Sequence, residues 1–376
     1  MPFPLSMTWT MTRYLLKNRL RGRDKFPLVM MLEPLHACNL TCTGCGRIRE
    51  YESTIRETIP VEQCLRAVDD CGAPIVSICG GEPMIYKPLD KLVAELLKRK
   101  KFIYLCTNGM FIKKRLAEFK PSPRFFFNVH IDGLEETHDL CVERKGVFRE
   151  AVEGIQAAKA AGFLVCTNTT IYKETDMGEI EAMLDYLQTL GCDGHMLSPA
   201  YSYSAVQVRE IFMDRAVIRD KFKDIDRLFR RYKLNSSPIY LEFLKGTREL
   251  TCTAWGNPTY NTKGWKGPCY LMTDAHHATF DQLIRDTPWE KYGYGKDPRC
   301  ENCMVHCGYE PTAVTDTVSR PLAALSVFLK GIRTEGPMAP EIPLDRQRPA
   351  EYMFESLVQR LAREAKTGTE RASDAA

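Results

Sequence analysis

Between residues 28 and 198 the sequence alternates short apolar runs with segments of helical periodicity, and this alternation constrains the fold most strongly. The apolar runs have the length and composition of buried strands, and they lie at 28–33, 75–78, 102–106, 125–131, 164–171 and 195–198. Helical patterns lie between them at 60–70, 88–100, 111–118, 147–161 and 177–190. Such alternation is typical of a parallel sheet with right-handed crossovers. The sequence therefore predicts an α/β fold built as a partial (βα)6 barrel.

The remainder of the chain differs in amino-acid composition. Residues 205–235 are charged and helical in pattern, whereas residues 245–310 are rich in Gly, Pro, Trp and Cys. The second composition predicts a small loop-rich unit that needs more than an apolar core to hold it together. The tail is expected to form an amphipathic helix around 350–365 and to end in disorder. We divide the chain into an N-terminal helix (1–27), a core domain (28–235), a Cys-rich extension (236–320) and a tail (321–376).

Fifteen cysteines are many for a chain of 376 residues. Their odd number, their close spacing and the lack of a signal peptide argue against a secreted disulfide scaffold, and favour a reducing cytoplasm with thiolates as metal ligands. Isolated cysteines are expected to be small buried side chains, and these are Cys64, Cys71, Cys141, Cys166 and Cys192. The net charge of +4 is too small to indicate a nucleic-acid partner. No apolar run approaches the roughly 18 residues of a membrane span.

The first 24 residues combine apolar side chains with many bases and contain no acid before Asp24. A basic amphipathic helix of this kind can lie on an anionic membrane surface. It can equally pack against the body of the protein. The sequence leaves both arrangements open, and the first predicts a cytoplasmic protein that is peripheral at the inner face of the membrane.

Cys38, Cys42 and Cys45 form a C-x3-C-x2-C pattern directly after the first predicted strand. Three closely spaced thiolates in one loop can hold three corners of a [4Fe–4S] cluster. Because no fourth cysteine is near in sequence, one iron stays open for a small ligand, and this makes such a cluster reactive. A closed zinc site is the alternative, and it needs a fourth ligand, for which His36 is the candidate.

This pattern resembles the signature of the radical S-adenosylmethionine (SAM) superfamily. Further motifs match in order after successive strands, namely Gly80-Gly81-Glu82-Pro83, Thr107-Asn108-Gly109 and His130-Ile131-Asp132-Gly133 with Glu135, His138 and Asp139. Gly44 departs from the aromatic residue that is common before the third cysteine.

The resemblance implies a TIM-like barrel of the radical SAM type, with its site at the C-terminal ends of the strands. SAM would bind the open iron, with its amino group at the turn that begins at Gly80. An electron from the reduced cluster would cleave SAM to a 5′-deoxyadenosyl radical, and the donor would be a reductant such as flavodoxin or ferredoxin. The SAM-binding residues implied by the matching motifs are Gly80, Gly81, Glu82, Pro83, Asn108 and Asp132.

A second set of cysteines lies in the Cys-rich extension and consists of Cys252, Cys269, Cys300, Cys303 and Cys307. Its spacing, with Gly264 between the first two members, resembles the twitch and SPASM extensions of radical SAM enzymes, which carry an auxiliary [4Fe–4S] cluster. Four thiolates would close such a cluster, and Cys307 or His306 can replace one ligand. A structural zinc site and free thiols stay open as alternatives.

A closer resemblance involves many residues outside these motifs. The matching segments are Phe26-Pro-Leu-Val, Met31-Leu-Glu-Pro, Cys38 to Ile48, Cys71-Gly-Ala-Pro, Tyr104-Leu-Cys-Thr-Asn, Pro121-Ser-Pro, Pro258-Thr and Cys303-Met-Val-His-Cys-Gly. Over residues 8–315 the chain is similar to the adenosyl-hopene transferase (adenosylhopane synthase) family of bacterial hopanoid biosynthesis. In that family the adenosyl radical adds to the alkene of diploptene, a hydrophobic triterpene, and SAM is consumed as a substrate.

That reaction requires an apolar pocket, access from the membrane and a hydrogen donor for the substrate radical. Cys106, at the end of the third predicted strand, is the candidate donor because a thiol S–H bond is weak. Two rival functions stay open: a SPASM/twitch radical SAM enzyme that acts on a peptide or other small molecule, and a non-enzymatic metal-binding sensor. The candidate pocket residues are Phe125, Phe126, Phe127, Tyr201 and Tyr203.

Overall fold

The computed structural model describes residues 4–202, 206 and 210–319 of the chain. Within these residues, nine strands form one sheet in the order β6-β5-β4-β3-β2-β1-β7-β8-β9. Strands β1 to β6 and β7 pair in parallel, whereas β8 pairs antiparallel with β7 and β9. The strands are β1 (Val29–Leu32), β2 (Ile75–Ile78), β3 (Phe102–Thr107), β4 (Phe125–His130), β5 (Leu164–Ile171), β6 (Gly194–Pro199), β7 (Thr259–Asn261), β8 (Gly264–Pro268) and β9 (Thr273–His277).

Helices connect the parallel strands and cover the sheet. They are α1 (Leu5–Leu20), α2 (Arg47–Glu50), α3 (Val61–Cys71), α4 (Leu89–Lys98), α5 (Ile112–Arg115), α6 (Glu135–Cys141), α7 (Val147–Ala160), α8 (Met177–Thr189), α9 (Arg215–Lys221), α10 (Ile225–Arg231), α11 (Pro238–Lys245), α12 (Phe280–Asp286) and α13 (His306–Ser319). Helix α4 shows why they pack. Its buried residues Leu89, Leu92, Val93 and Leu96 recur at helical spacing and form one apolar face.

The partial barrel predicted from the sequence is confirmed, and its six strands lie within one residue of their predicted bounds. The helix predicted over 111–118 is wrong in its second half, where Leu116–Glu118 tightens into a 3₁₀ turn after α5. The charged segment 205–235 contains two short helices, α9 and α10, rather than one. The features predicted for the tail lie outside the described residues.

One sheet and one apolar core join the core domain to the Cys-rich extension. Strand β7 lies beside β1, with Met31 opposite Thr259 and Leu32 opposite Tyr260. Trp265, in the extension, is buried in the same apolar cluster as Leu32. The expectation that the extension depends on something other than a large core is therefore wrong.

Helix α1 packs where the parallel strands begin. Its residue Met7 is buried in a cluster with Ile75, Phe102 and Phe126, which lie at or next to the first residues of β2, β3 and β4. The helix therefore closes the end of the barrel opposite the strand C-termini. Packing against the body of the protein is confirmed for this face. Among the described residues, none of the helices has the length and apolar content needed to cross a membrane.

Four of the five isolated cysteines are buried, as predicted. Cys192 is the exception and is half-buried. It follows the loop residue Gly191, which has a φ of +76°, and such connecting loops lie at the surface.

Candidate active site

The loop after β1 carries the first set of cysteines and lies against the turn after β2. The backbone N–H groups of Gly81 and Glu82 donate to the carbonyls of Leu35 (3.1 Å) and Ala37 (2.9 Å). Gly80 has a φ of +115°, and a Cβ there would collide with the Leu35 carbonyl. A Cβ at Gly81 would collide with the carbonyl of Ala37. Both positions require glycine because the two backbones touch.

Glu82 joins this turn to the turn after β3. Its Oε1 accepts hydrogen bonds from the Met84 N–H (2.9 Å) and the Thr107 hydroxyl (2.7 Å), and its Oε2 accepts from the Asn108 N–H (2.8 Å). The side chain is buried, and burial raises the pKa of Glu82 to about 7 although these donors act in the opposite direction. Glu82 is therefore a fixed part of the site that holds two turns together.

Asn108 extends this network to the cysteine loop. Its Nδ2 donates to Asn39 Oδ1 at 2.9 Å, and its Oδ1 accepts from the Met110 N–H at 3.2 Å. Asn39 Nδ2 also contacts Met110 Sδ at 3.1 Å. Because Asn39 directly follows Cys38, the turn after β3 fixes the start of the cysteine loop. The side chain of Asn108 is thus committed to neighbours inside the protein.

The three thiols of the first set lie in this one loop. Cys38 and Cys42 are half-buried and Cys45 is exposed. The Cys45 N–H donates to the Cys42 carbonyl at 3.1 Å, and the Thr43 hydroxyl donates to Glu143 Oε1 at 2.9 Å. Burial raises the pKa of Cys38 to about 12, with Cys45 acting in the same direction. A bound metal centre reverses this preference because it stabilises the thiolate form.

The three thiols of the first set are not gathered around one point in the way that a single bound ion requires. Within the described part of the chain, no three His, Cys, Asp or Glu side chains are set to hold one metal ion. A [4Fe–4S] cluster instead takes each thiolate at a separate corner. Thiols spread along one loop, two of them half-buried, are suited to that geometry.

His36 is not placed to complete a zinc site. Its ring is buried and stacks on Tyr51 with centroids 3.8 Å apart. Its Nε2 lies 3.4 Å from Glu33 Oε2, and its Nδ1 lies 3.5 Å from Thr262 Oγ1. Both ring nitrogens therefore face partners inside the protein. The zinc alternative that relied on His36 as the fourth ligand is wrong.

Asp132, at the end of β4, has a partner for each carboxylate oxygen. Its Oδ2 lies 2.8 Å from His130 Nε2, and its Oδ1 accepts from the Thr170 N–H at 2.7 Å. Burial lowers the pKa of His130, but the Asp132 carboxylate outweighs this and the pKa lies above its usual value. The His130 side chain is 27% exposed, whereas that of Asp132 is 1% exposed. Of this pair, His130 is the group that can face a ligand, and the sequence analysis did not select it.

Cys106 lies on the interior face of β3, the same face as Phe102 and Tyr104, because side chains alternate along a strand. Its Sγ is 3.2 Å from Ser77 Oγ on β2 and 3.5 Å from Asn128 Nδ2 on β4. The side chain is half-buried, and burial raises the pKa of this thiol. Cys106 therefore keeps its proton at neutral pH, in a position that a ligand inside the barrel can reach.

Of the candidate pocket residues on β4, only one faces the inside of the barrel. Phe125 and Phe127 belong to the main core cluster, while Phe126 faces the opposite side of the sheet. There Phe126 stacks on Tyr104, with ring centroids 4.9 Å apart, in the same cluster as Met7. Phe125 and Phe127 are wrong as pocket residues because alternation along the strand turns them toward the helices, and a pocket role for Phe126 stays a prediction.

The second set of cysteines comes together although its members are far apart in sequence. The Sγ of Cys252 lies so close to Gly308 that a Cβ there would collide with it. The Cys303 N–H donates to the Cys300 carbonyl at 3.1 Å. Burial raises the pKa of the Cys307 thiol, and Cys269, Cys303 and Cys252 act in the same direction. Among the described residues, no three of these thiols are set to hold one metal ion. The structure gathers the predicted residues, and their role as ligands stays a prediction.

Two further predicted groups border this second set. The Tyr201 hydroxyl donates to the Arg299 carbonyl at 2.7 Å. Tyr201 therefore lies beside the second set, and its role in a substrate pocket stays a prediction. Tyr203 lies outside the described residues. His306 Nδ1 is 3.0 Å from Ser198 Oγ on β6, so this nitrogen is engaged inside the protein.

Arg215 is a buried guanidinium beside the second set that the sequence analysis missed. It is 1% exposed, and its Nη2 donates to the Cys303 carbonyl (3.3 Å) and the Tyr309 hydroxyl (3.0 Å). Its guanidinium carbon lies 4.1 Å from the centroid of the Tyr294 ring. A buried positive charge stabilises thiolates nearby. No sequence signal distinguishes this arginine, because it lies in a charged segment that predicts exposure.

The buried carboxyl group of Glu310 on α13 should make the free energy of unfolding depend on pH. Its Oε1 accepts from the Ser237 N–H, and its Oε2 is buried without a hydrogen-bond partner among the described residues. Burial raises the pKa of Glu310 from 4.5 to about 8. The folded state therefore holds a proton that the unfolded state releases. The free energy of unfolding should fall, on the order of 4 kcal/mol, as the pH rises through this interval.

We expect the Glu310→Gln variant to lose this contribution, because an amide does not titrate. The measurement is the thermal midpoint by circular dichroism from pH 5 to pH 9, and the wild-type midpoint should fall more steeply across that range (roughly one carboxyl titration). Equal slopes for the two proteins would contradict the assignment.

Two family patterns match the chain. Residues 32–187 match the Radical SAM superfamily, and residues 195–327 match a domain of unknown function, DUF3463. Fe-coproporphyrin III synthase from Methanosarcina barkeri is 29% identical over 172 residues, which are 44% of this chain and 42% of that protein. GTP 3′,8-cyclase from Helicobacter pylori strain J99 is 28% identical over 283 residues, which are 68% of this chain and 84% of that enzyme. The first of these alignments spans less than half of the relative's own length.

Solved structures share the fold. SuiB from Streptococcus suis has a TM-score of 0.57 at 17% identity, covering 82% of this chain and 78% of that one. The enzyme anSMEcpe with bound AdoMet has a TM-score of 0.55 at 14% identity, covering 81% of this chain and 95% of that one. At such low identity the likeness concerns the fold alone.

The barrel and the cysteine loop after β1 agree with the match over residues 32–187, and this part of the chain has the features of a radical SAM domain. The match implies that this domain uses a [4Fe–4S] cluster and SAM as its cofactors. An enzyme of this class needs a reductant. The match favours an enzyme over the non-enzymatic metal-binding sensor.

Proposed function

We propose that Cys38, Cys42 and Cys45 hold the [4Fe–4S] cluster and that the turn from Gly80 to Pro83 binds SAM beside it. The support is the network through Glu82 and Asn108, which joins the loops after β1, β2 and β3 at their C-terminal ends. Ligand sites of barrels with parallel strands lie at these ends. When bound, the cluster supplies the electron that cleaves SAM.

We further propose that the enzyme transfers the adenosyl group of SAM to hopene (diploptene) and forms adenosylhopane. The observation that carries this proposal is Cys106, a protonated and half-buried thiol on the interior face of the barrel. Addition to an alkene leaves a carbon radical on the substrate, and that radical requires a hydrogen donor.

Apolar side chains lie next to Cys106 on the interior face of the barrel. Tyr104 precedes it on the same face of β3, and Phe126 and Met7 complete an apolar cluster with Tyr104. Val29 and Leu164, which pack on this cluster, are only partly buried. We propose that the alkene lies at Cys106, on the side of this cluster that faces the strand C-termini, because Met7 and Phe126 fill the opposite end.

The proposed reaction balances as follows. The C5′–S bond of SAM breaks with one electron and gives methionine and the 5′-deoxyadenosyl radical. C5′ then bonds to the terminal alkene carbon and leaves a tertiary carbon radical. Cys106 gives its S–H hydrogen atom to that carbon, and the resulting thiyl radical takes one electron from the reductant and one proton to restore the thiol.

We propose that the second set of cysteines holds an auxiliary [4Fe–4S] cluster that relays electrons within the protein. The support is the gathering of the five thiols beside the buried Arg215 guanidinium, since positive charge stabilises thiolate ligands. Five thiols offer more ligands than the four that such a cluster takes.

We expect Cys269→Ala/Cys303→Ala, which leaves three thiols in the second set, to lower the iron content by one cluster while SAM binding at the first cluster persists, because the two sets lie on separate loops. The measurements are metal analysis and electron paramagnetic resonance of the reduced protein. The matched control is Cys64→Ala, which removes a core thiol outside both sets. Unchanged iron in Cys269→Ala/Cys303→Ala, or zinc bound at this set, would refute the auxiliary cluster.

The proposed function is tested with SAM that carries a radiolabel in its adenosyl group. Adenosyl transfer places the label in the lipid extract, and only when hopene is present. Hydrogen abstraction leaves the label in water-soluble 5′-deoxyadenosine.

A second candidate function is that of a SPASM/twitch enzyme acting on a peptide or other small molecule. The gathering of the five thiols favours it, because such enzymes carry auxiliary clusters. In that case hopene has no effect on the distribution of the label. The same experiment therefore separates the two candidates.

A further inference from the structure

Helix α1 has two apolar faces on opposite sides. The inner face is buried, with Met7 in the cluster at the strand starts and Leu15 packed with Phe26 and Leu28. Four large apolar side chains lie on the opposite side of the helix. Their spacing along the sequence puts all four in one stripe of the helix surface. They are Leu5 (69% exposed), Trp9 (71%), Leu16 (49%) and Leu20 (89%). We call these four residues the outer stripe.

Bases border the outer stripe. Arg13, Lys17 and Arg21 line one shallow groove together with Trp9, Leu16 and Leu20. All three bases are exposed, and the helix has no acid in its sequence. A surface that is apolar along its centre and positive along its border complements the acyl chains and anionic headgroups of a lipid bilayer.

We propose that the outer stripe of α1 and its three bordering bases dock on an anionic lipid bilayer. The inner face supports this role because it fixes the helix to the protein. The Tyr14 hydroxyl donates to the Pro27 carbonyl at 2.8 Å, and the Tyr14 ring meets Phe26 edge-on. The helix is therefore presented in one orientation, and its outer side chains reach the boundary between headgroups and acyl chains.

A lipid surface suits this face better than a second copy of the chain. Two copies joined through the outer stripe would bring the bases of both helices together without an acid on α1 to compensate them. Like charges at an interface are unfavourable, whereas anionic headgroups neutralise them.

Docking through α1 is separate from the proposed reaction and does not depend on the substrate. It would fix the orientation of the barrel relative to the bilayer. Because Met7 lies at the strand starts, docking turns that end of the barrel toward the bilayer and the cysteine loop away from it.

Flotation of the full-length protein with lipid vesicles tests the proposal without hopene or SAM. We expect binding to vesicles that contain phosphatidylglycerol and little binding to vesicles of phosphatidylcholine alone. The variant Trp9→Ser/Leu16→Ser/Leu20→Ser should bind at least roughly tenfold more weakly, because it removes the apolar area that inserts. Arg13→Gln/Lys17→Gln should lose roughly fivefold per base, and the remaining binding should weaken with salt.

The matched control is Lys87→Gln/Lys91→Gln, which removes two exposed bases elsewhere on the surface and should bind like the wild type. All substituted side chains on α1 are exposed, and unchanged circular dichroism will show that the variants are folded. Wild-type protein that fails to float with anionic vesicles would overturn the proposal. So would outer-stripe variants that float equally well, or a wild-type dimer that the Ser variant dissociates.

Discussion

Replacing Cys106 with alanine is expected to leave SAM cleavage running while the reduced adenosyl product disappears. The thiol is protonated because burial raises its pKa, and Ser77 and Asn128 hold it on the interior face of the barrel. The variant keeps the cysteine loop and the Glu82 network, so the radical still forms and adds to the substrate. Without the S–H hydrogen, the adduct radical ends in other products. Chromatography with mass spectrometry measures both SAM-derived and lipid products.

An assay in heavy water tests the same hydrogen transfer through deuterium incorporation. The S–H hydrogen exchanges with solvent, so the wild-type product formed in heavy water should carry one deuterium at the new carbon centre. The matched control is Cys166→Ala, which removes a thiol on β5 that is buried against Asn235 (Nδ2 to Sγ, 3.0 Å). Full yield of the reduced product from Cys106→Ala would exclude Cys106 as the donor.

Replacing Cys42 with alanine is expected to reduce SAM cleavage to the background of cluster-free protein. Two remaining thiolates hold a [4Fe–4S] cluster poorly, and the loop offers no substitute because both nitrogens of His36 have partners elsewhere. The measurements are iron content, the visible absorption of the cluster and anaerobic release of methionine. The iron of the first cluster should be lost while that of the second set remains.

Cys192→Ala is the matched control for this variant. It removes a half-buried thiol in the loop before β6, distant in sequence from both sets. Cys192→Ala should retain full iron and full cleavage. Retention of both properties in Cys42→Ala would show that Cys42 is not a ligand.

Local sequence patterns predicted the parts of the structure that depend on local physics. The six strands and most of their crossover helices follow from alternating periodicity, because each segment buries one face as it folds. The first set of cysteines needed only its spacing, since Cys38, Cys42 and Cys45 share one loop. The run Phe125 to Phe127 was misread because three aromatic residues look alike, whereas a strand turns alternate ones to opposite faces.

Other features depend on contacts between distant segments, and no local pattern contains them. The pairing of Met31 with Thr259 joins the extension to the sheet across most of the chain. Arg215 packs on Tyr294 and donates to the Tyr309 hydroxyl, and both residues are distant from it in sequence. The two faces of α1 explain why its sequence favoured neither packing nor membrane contact, since one apolar face serves the protein and the other stays exposed.

The most direct test of the central claim is an anaerobic assay of the iron-reconstituted protein with SAM, dithionite and diploptene. Mass spectrometry of the lipid extract is the readout. We predict a product with the mass of hopene plus one adenosyl group and one hydrogen atom, formed together with methionine. Cleavage of SAM to 5′-deoxyadenosine with diploptene unchanged would contradict adenosyl transfer.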